Sequence, residues 1–330
     1  MRTRRRVFGA VAAFLAALVL FTVLTPYPAS YLTRLLFMNS PATAPPGYHL
    51  MHQTVMSRLD ITYPSASGDN TADIYTPALE SGPWPTVLWV HGGAYVGGDK
   101  SDLRMYATAL ASRGYAVVAM NYRRAPEARY PGPLLQIGEA LRWMADEADT
   151  YGMDMNQLIL AGDSAGAHMV AQIVTMETSA DYAAALGLEP VTAPGSIKAV
   201  LLFCGPYDVG QVAEIDHPLL RFFMGRAAWA YFGSKNWAEA YTDEATVPHH
   251  VTADFPPAFI SDGNTGSFEP QARALAAALE AKGVTVETHF IPLSAGMAGH
   301  EYQFVLDDPL AQEAFEKTVA FLEATLQTSN

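Results

Sequence analysis

The stretch LILAGDSAGAHM, residues 158–169, decides the fold. Its first four residues, 158–161, are apolar and predict a buried strand, while an apolar helical segment, 165–177, begins directly after Ser164. Between them the run Gly162-Asp163-Ser164-Ala165-Gly166 places a serine on a sharp strand-to-helix turn, with glycines on both sides. This arrangement is a nucleophile elbow, and the helix behind it favours negative charge developing nearby. Ser164 is therefore the predicted nucleophile.

Strands and helices alternate on both sides of this turn. This alternation is typical of a mainly parallel sheet with helices on both faces. Two earlier segments, 52–61 and 71–76, alternate in polarity and predict an antiparallel edge, which gives an eight-stranded sheet. The other predicted strands are 86–90, 116–120, 158–161, 199–203, 257–261 and 287–291, and the helices are 101–112, 133–149, 165–177, 270–282 and 308–327.

One segment, about 209–250, breaks the alternation. It is rich in aromatic residues with charges between them, and it lies between two predicted strands. We interpret it as a small helical cap over the carboxyl edge of the sheet, and the alternative is an ordinary crossover helix with a long loop.

A second motif, His91-Gly92-Gly93-Ala94-Tyr95, ends the strand 86–90. The backbone N–H groups of Gly92 and Gly93, with that of Ala165, are the predicted donors of an oxyanion hole. A phosphate-binding role for these glycines is disfavoured, because neither a GK[ST] nor a GxGxxG pattern is present.

A third motif, Gly299-His300-Glu301, follows the last strand and precedes the last helix. A histidine in this loop is placed to reach the serine, so His300 is the predicted general base. The remaining histidines, such as His168 and His217, show no metal-ligand spacing and are interpreted as structural or surface residues.

The N-terminus predicts a membrane segment. Residues 2–6 read RTRRR, and the uncharged apolar run 7–24 is long enough to cross a bilayer as a helix. The basic cluster predicts that the body lies on the extracytoplasmic side. A retained anchor is favoured, and a cleaved signal peptide or a buried helix are the alternatives. The predicted organisation is a membrane segment 1–37, a linker 38–50 and a catalytic domain 51–330.

Composition excludes several classes of protein. The 330 residues carry 20 Lys and Arg against 33 Asp and Glu, a net charge of −13. Five of the arginines precede residue 38, so the body is more acidic still, which excludes a general nucleic-acid binder. A hydrophobic fraction of 50% excludes disorder of the bulk, and a single cysteine, Cys204, excludes a disulfide framework.

Together these motifs resemble the α/β-hydrolase superfamily, nearest to hormone-sensitive-lipase-like and feruloyl- or acetyl-xylan-esterase-like carboxylesterases. The resemblance covers about 50–326 in motif order and includes HGGAYVGGDK from His91, NYRRAPE from Asn121, and HEYQF from His300. It implies a serine carboxylesterase or lipase-like hydrolase that forms an acyl-enzyme on Ser164, acts on a small-molecule ester and needs no metal or organic cofactor. A serine peptidase or amidase of the same fold and a catalytically impaired binding module are the alternatives.

The sequence departs from the family at the third catalytic residue. An aspartate orients the histidine in these families, and its position falls on Gly266 here. Glu269, near the start of a helix, is the favoured replacement, and Asp262 is the alternative acid. Asp208, or no acid at all, stays open.

Overall fold

A computed structural model describes residues 2–36, 42–212 and 218–328. The predicted α/β-hydrolase fold is confirmed: one eight-stranded, mostly parallel sheet is flanked by helices. The strand order is β1-β2-β4-β3-β5-β6-β7-β8, where β1 (Val55–Thr62) and β2 (Thr71–Pro77) form the predicted antiparallel edge. The parallel strands are β3 (Trp84–Val90), β4 (Ala116–Met120), β5 (Met153–Asp163), β6 (Ile197–Phe203), β7 (Ala258–Asp262) and β8 (Val286–Phe290).

The five helices expected between the strands are present, and shorter ones lie between and before them. In chain order the helices are α1 (Arg2–Leu24), α2 (Tyr27–Leu36), α3 (Tyr48–Gln53), α4 (Arg104–Ala111), α5 (Gly132–Asp146), α6 (Ala148–Tyr151), α7 (Ala165–Thr178), α8 (Ala180–Leu186), α9 (Val209–Val212), α10 (Pro218–Phe232), α11 (Trp237–Ala245), α12 (Glu269–Ala281) and α13 (Pro309–Thr328).

The sheet is buried on both faces, which explains the continuous apolar runs of its central strands. Alternate side chains of β3 enter different cores: Leu88 packs on the side of α5, α7 and α12, whereas Trp89 packs on the side of α4 and α13. Since all parallel strands point the same way, the loops after β3, β5, β7 and β8 meet at one edge. The three sequence motifs are therefore brought together at that edge.

The N-terminal region contains two helices rather than one. Helix α1 includes one stretch, Val7–Leu24, that is long and apolar enough to cross a membrane, and none of it is buried in the fold. Helix α2 packs against α10, and its residues Ala29 and Ser30 are buried. Of the predicted linker 38–50, residues up to 41 lie outside the described residues, and Thr43 is bound to the domain through its N–H, which donates to the Phe304 carbonyl at 2.9 Å.

The predicted cap segment, about 209–250, forms α9, α10 and α11 between β6 and β7, while its residues 213–217 lie outside the described part of the chain. The second half of α10 is buried, and its Tyr231 stacks on Tyr95 with ring centroids 4.1 Å apart. Tyr231 is thus a packing residue between the cap and the loop that follows β3.

Substitution of Gly166 is expected to destabilise the protein, because α7 approaches the end of β3 at this point without room for a side chain. A Cβ on Gly166 would overlap the Val90 carbonyl oxygen and lie 2.7 Å from that of His91. We expect Gly166→Ala to lower the free energy of unfolding by about 1–3 kcal/mol, measured by urea denaturation. Gly138→Ala is the matched control: a Cβ there meets only Val191 at 3.7 Å, inside α5, so stability should stay equal or rise. Equal stabilities of the two variants would contradict the close packing of α7 on β3.

Candidate active site

Ser164 occupies a strained turn between β5 and α7. Its φ of 49° and ψ of −120° lie where few non-glycine residues are found, and its N–H donates to the Phe203 carbonyl of β6 at 2.8 Å. The strained backbone places the side chain at the sheet edge, ahead of the first turn of α7. This is the geometry expected of a nucleophile elbow.

His300 meets Ser164 directly. Its Nε2 lies 2.9 Å from the serine Oγ, and its Nδ1 lies 2.8 Å from Ser267 Oγ. Burial lowers the pKa of His300 to about 4, so the imidazole is neutral at neutral pH. With the proton on Nδ1 donated to Ser267, Nε2 is free to accept the proton of the serine. The arrangement therefore suits a general base.

Asp262, the alternative acid, lies behind Ser267 at the end of β7. It is fully buried, and neither carboxylate oxygen has a hydrogen-bond partner of normal geometry within the described residues. Burial raises the pKa of Asp262 to about 7, while the Ser267 hydroxyl is the first of the groups that oppose this rise. Asp262, Ser267, His300 and Ser164 therefore follow one another in space, with the buried carboxylate of Asp262 at the far end.

Glu269, the favoured acid, is placed elsewhere. Its carboxylate receives hydrogen bonds from Arg273, one turn along α12, with Nε and Nη2 at 2.8 and 2.7 Å from Oε1. The Nδ1 position of His300 is taken by Ser267 instead. Asp208 is occupied as well, because it accepts from the N–H of Gly210 at 2.9 Å. An acid at the first turn of a helix has a favourable site there without any catalytic role, which accounts for Glu269.

The predicted oxyanion donors require one correction. The N–H of Gly92 already donates to Asp163 Oδ2 at 2.7 Å, so it is not available to a substrate. Gly93 and Ala165 keep their N–H groups without another acceptor in the described part of the chain. Gly93 needs its positive φ of 105°, and a Cβ there would collide with the backbone of Gly97 and Gly98. The motif is therefore a tight loop in which the Gly92 N–H is bonded to Asp163 and the Gly93 N–H is left for a substrate.

Asp163 holds this loop in place, a role that the sequence motifs did not predict. Besides Gly92, it accepts from Trp89 Nε1 at 2.8 Å. It also lies against Glu301, whose Oε1 is 3.9 Å from His300 Nε2. Burial and the Asp163 charge raise the pKa of Glu301 well above its usual range, which favours a protonated Glu301 that donates to Asp163. The signal was the position of both acids, each adjacent in sequence to a catalytic candidate.

His168 links the loop to the cap, as a structural residue. Its Nε2–H donates to the Ala245 carbonyl at 2.8 Å, which leaves Nδ1 to accept from the Tyr95 hydroxyl at 2.8 Å. Burial lowers the pKa of His168 to about 4, consistent with this neutral tautomer. One buried imidazole thus joins α7, the loop after β3 and the end of α11.

Comparisons with known proteins find esterases among the similar proteins. The family model described as BD-FAE matches residues 72–279. The chain is 28% identical to the probable carboxylic ester hydrolase LipM of Mycobacterium tuberculosis over 65% of its length, and 27% identical to esterase LipQ of the same organism over 74%. It spans only 49% and 57% of those two relatives. Among solved structures, esterase B of Lactobacillus rhamnosis is 25% identical with a TM-score of 0.75, covering 100% of this chain and 98% of that one.

The Asp163–Glu301 pair yields a testable expectation. Glu301→Gln should keep kcat/KM for p-nitrophenyl acetate within about threefold, because the amide also donates to Asp163, whereas Glu301→Ala should lower it about tenfold or more. Initial rates at pH 7 measure both. Equal damage by the two substitutions would mean that Glu301 acts as an ionised carboxylate.

Proposed function

The chain belongs to the BD-FAE family of α/β-hydrolases, and from this premise we propose that it is a serine carboxylesterase. One observation carries the proposal: the 2.9 Å approach of His300 Nε2 to Ser164 Oγ at the carboxyl edge of the sheet. A binding module has no need of a neutral base aligned on a serine in a strained turn. A small-molecule carboxylic ester is the proposed substrate class.

In the proposed reaction Ser164 Oγ attacks the ester carbonyl while His300 Nε2 accepts its proton. The oxyanion is held by the N–H groups of Gly93 and Ala165, and the adjacent Ala94 N–H replaces the predicted Gly92. His300 then protonates the leaving alkoxide. Water, deprotonated by His300, attacks the acyl-enzyme and releases the acid, which restores Ser164.

We assign the orientation of His300 to Ser267, supported by Asp262. A hydroxyl accepts one hydrogen bond and donates another, so Ser267 can accept from His300 Nδ1 and donate to Asp262. As His300 gains a proton, the buried Asp262 carboxylate is the counter-charge behind it. The pair Ser267 and Asp262 takes the place of the aspartate that related enzymes carry at the position of Gly266. Gly266 itself is exposed and has a φ of 61°.

For location, we propose that α1 is a retained signal anchor with the catalytic domain on the extracytoplasmic side. Cleavage near Pro28-Ala29-Ser30 would cut inside α2, where Ala29 and Ser30 are buried against the domain. N-terminal sequencing of the protein from membranes tests this point, and a mature chain beginning near Ser30 would refute it.

The activity is tested with the full chain on matched short p-nitrophenyl esters and anilides. We expect ester hydrolysis that falls by at least about a thousandfold in Ser164→Ala. Faster cleavage of the anilide would favour an amidase, and absence of ester turnover would favour the binding module.

The orienting acid is tested by three substitutions. We expect Asp262→Asn and Ser267→Ala to lower kcat about 10²- to 10⁴-fold and about 10- to 100-fold respectively, because His300 loses its orientation. Glu269→Gln is the matched control and should change kcat little, since its partner is the half-exposed Arg273. A large loss in Glu269→Gln alone would restore the original assignment.

The pH profile separates the two titrating groups. His300 is neutral above its pKa of about 4, whereas Asp262 ionises only above about 7. Wild-type kcat/KM should therefore rise between pH 6 and 8 as Asp262 ionises. It should also fall as the pH is lowered toward 4, because His300 becomes protonated. Asp262→Asn should lose the rise near neutrality and keep the acidic fall. An unchanged rise in that variant would assign it to another group, such as Asp163.

A further inference from the structure

The end of the apolar helix α1 is fixed beside the cap. Only Thr25 and Pro26 separate α1 from α2, and α2 packs on α10 of the cap. From the other side, Arg226 of α10 donates from Nη1 to the Val23 carbonyl at 3.2 Å. The membrane-spanning candidate therefore leads into the domain at the cap.

Helix α2 is held to the loop that carries the oxyanion donors. Arg34 donates from Nε to the Val96 carbonyl at 2.6 Å and from Nη2 to the Ala125 carbonyl at 2.8 Å. It also pairs with Glu127 at 2.7 Å. These bonds tie α2 to the segment just after Gly93 and fix which of its faces points outward.

That outward face is apolar. Ala29, Ser30 and Thr33 form the buried side of α2, and Leu35, 60% exposed, lies on the other side together with Leu32. An exposed leucine on a soluble surface is ordinary when single, but a cluster of them marks an interaction site.

Helix α10, which packs on α2, also exposes apolar residues in its first half. Leu219 is 61% exposed and Phe222 is also exposed, one turn before Arg226, whose guanidinium lies 5.1 Å from the Phe222 ring. We call the exposed apolar residues of α2 and of the first half of α10 the membrane face: Leu32, Leu35, Leu219 and Phe222.

Charge on these two helices is opposite to that of the whole chain. Helices α2 and α10 contain Arg34, Arg221 and Arg226 and no Asp or Glu, although the chain has a net charge of −13. Arginine beside exposed leucine and phenylalanine is the composition of a segment lying at the surface of an anionic bilayer.

The inner side of α10 lines a cavity next to the active-site loop. Met224, Ala227 and Ala228 border it together with Tyr95, which follows the oxyanion donors. The cavity is apolar and only about 10 Å³ in volume, the room of a single water molecule. The cavity is too small for an acyl chain, and α10, which borders it, also bears part of the membrane face.

We propose that the membrane face is seated in the bilayer that α1 spans, and that the substrates are amphiphilic acyl esters that reach Ser164 from the lipid beside α10. The proposal deepens the esterase function argued above and rests on it for the substrate. The bilayer is chosen as the occupant because the face adjoins the end of α1 and because Arg221 and Arg226 of α10 have no acidic residue on the same helix. The charge of Arg34 on α2 is already balanced by Glu127. A second copy of the chain is the competing occupant.

The contact is tested without reference to activity. Leu35→Cys and Leu219→Cys, each labelled with an environment-sensitive NBD fluorophore, are placed as full chains in vesicles of phosphatidylcholine and phosphatidylglycerol at 3:1. The native Cys204 is buried and should not react. Leu79→Cys is the matched control, because Leu79 is 79% exposed and follows β2 at the sheet edge opposite Ser164.

Doxyl-labelled lipid should quench the probes at 35 and 219 and leave the probe at 79 unquenched. Absence of quenching at 35 and 219 would overturn the proposal. Probe signals that depend on protein concentration in detergent, with no quenching by lipid, would assign the face to a second copy and also overturn it.

Substrate access is tested with the double variant Leu35→Ser/Leu219→Ser. Its kcat/KM should fall about tenfold for a long-chain ester dissolved in the vesicles and stay unchanged for soluble p-nitrophenyl acetate. The soluble ester also reports that the variant is folded. Equal rates of the double variant and the wild type on the vesicle ester would refute entry from lipid. A wild-type protein inactive on both esters would refute the esterase function, and the quenching experiment would then test the membrane contact by itself.

Discussion

The strained backbone at Ser164 is the constraint on which the rest of the site depends. A residue with φ of 49° and ψ of −120° persists only where its surroundings hold it, at a cost of about 1–3 kcal/mol. Here β5 and β6 fix one side, and α7 packs on β3 so closely that Gly166 has no room for a side chain. The same close approach sets the loop after β3 beside the serine. The packing of α7 on β3 therefore both holds the strained backbone of Ser164 and places the oxyanion donors beside it.

Much of this fold follows from local sequence. Apolar runs bounded by turn residues placed the six parallel strands, because buried parallel strands carry a strong and simple signal, and alternating polarity placed the two antiparallel strands at the edge. Ser164 and His300 were predictable for the same reason, since each follows a strand that ends at the catalytic edge. Short helices such as α2 and α3 were not, because their stability comes from packing on distant parts of the chain.

The finer features of the site depended on distances that sequence does not contain. Gly92 has the residue type of an oxyanion donor, yet Asp163, 71 residues away, takes its N–H. Glu269 has the right charge for an orienting acid, yet the nearest cation is Arg273 on the same helix, one turn away. Ser267 gave no signal at all, because a hydroxyl between an imidazole and a carboxyl group is recognisable only when all three positions are known. In each case a hydrogen bond or ion pair determined which of several chemically suitable residues is available to the reaction.

The Arg34 contacts bear on how this chain relates to its family. The family match covers 72–279 and holds Ser164 with its neighbouring donors, but Arg34 precedes it and His300 follows it. The matched segment therefore contains the nucleophile, while Arg34 and the base His300 lie in the segments that flank it. These flanks also contain the two outermost strands of the sheet, β1 and β8. The matched segment and its flanks are therefore one structural unit in this chain, because the serine lies in the former and the base and both outermost strands lie in the latter.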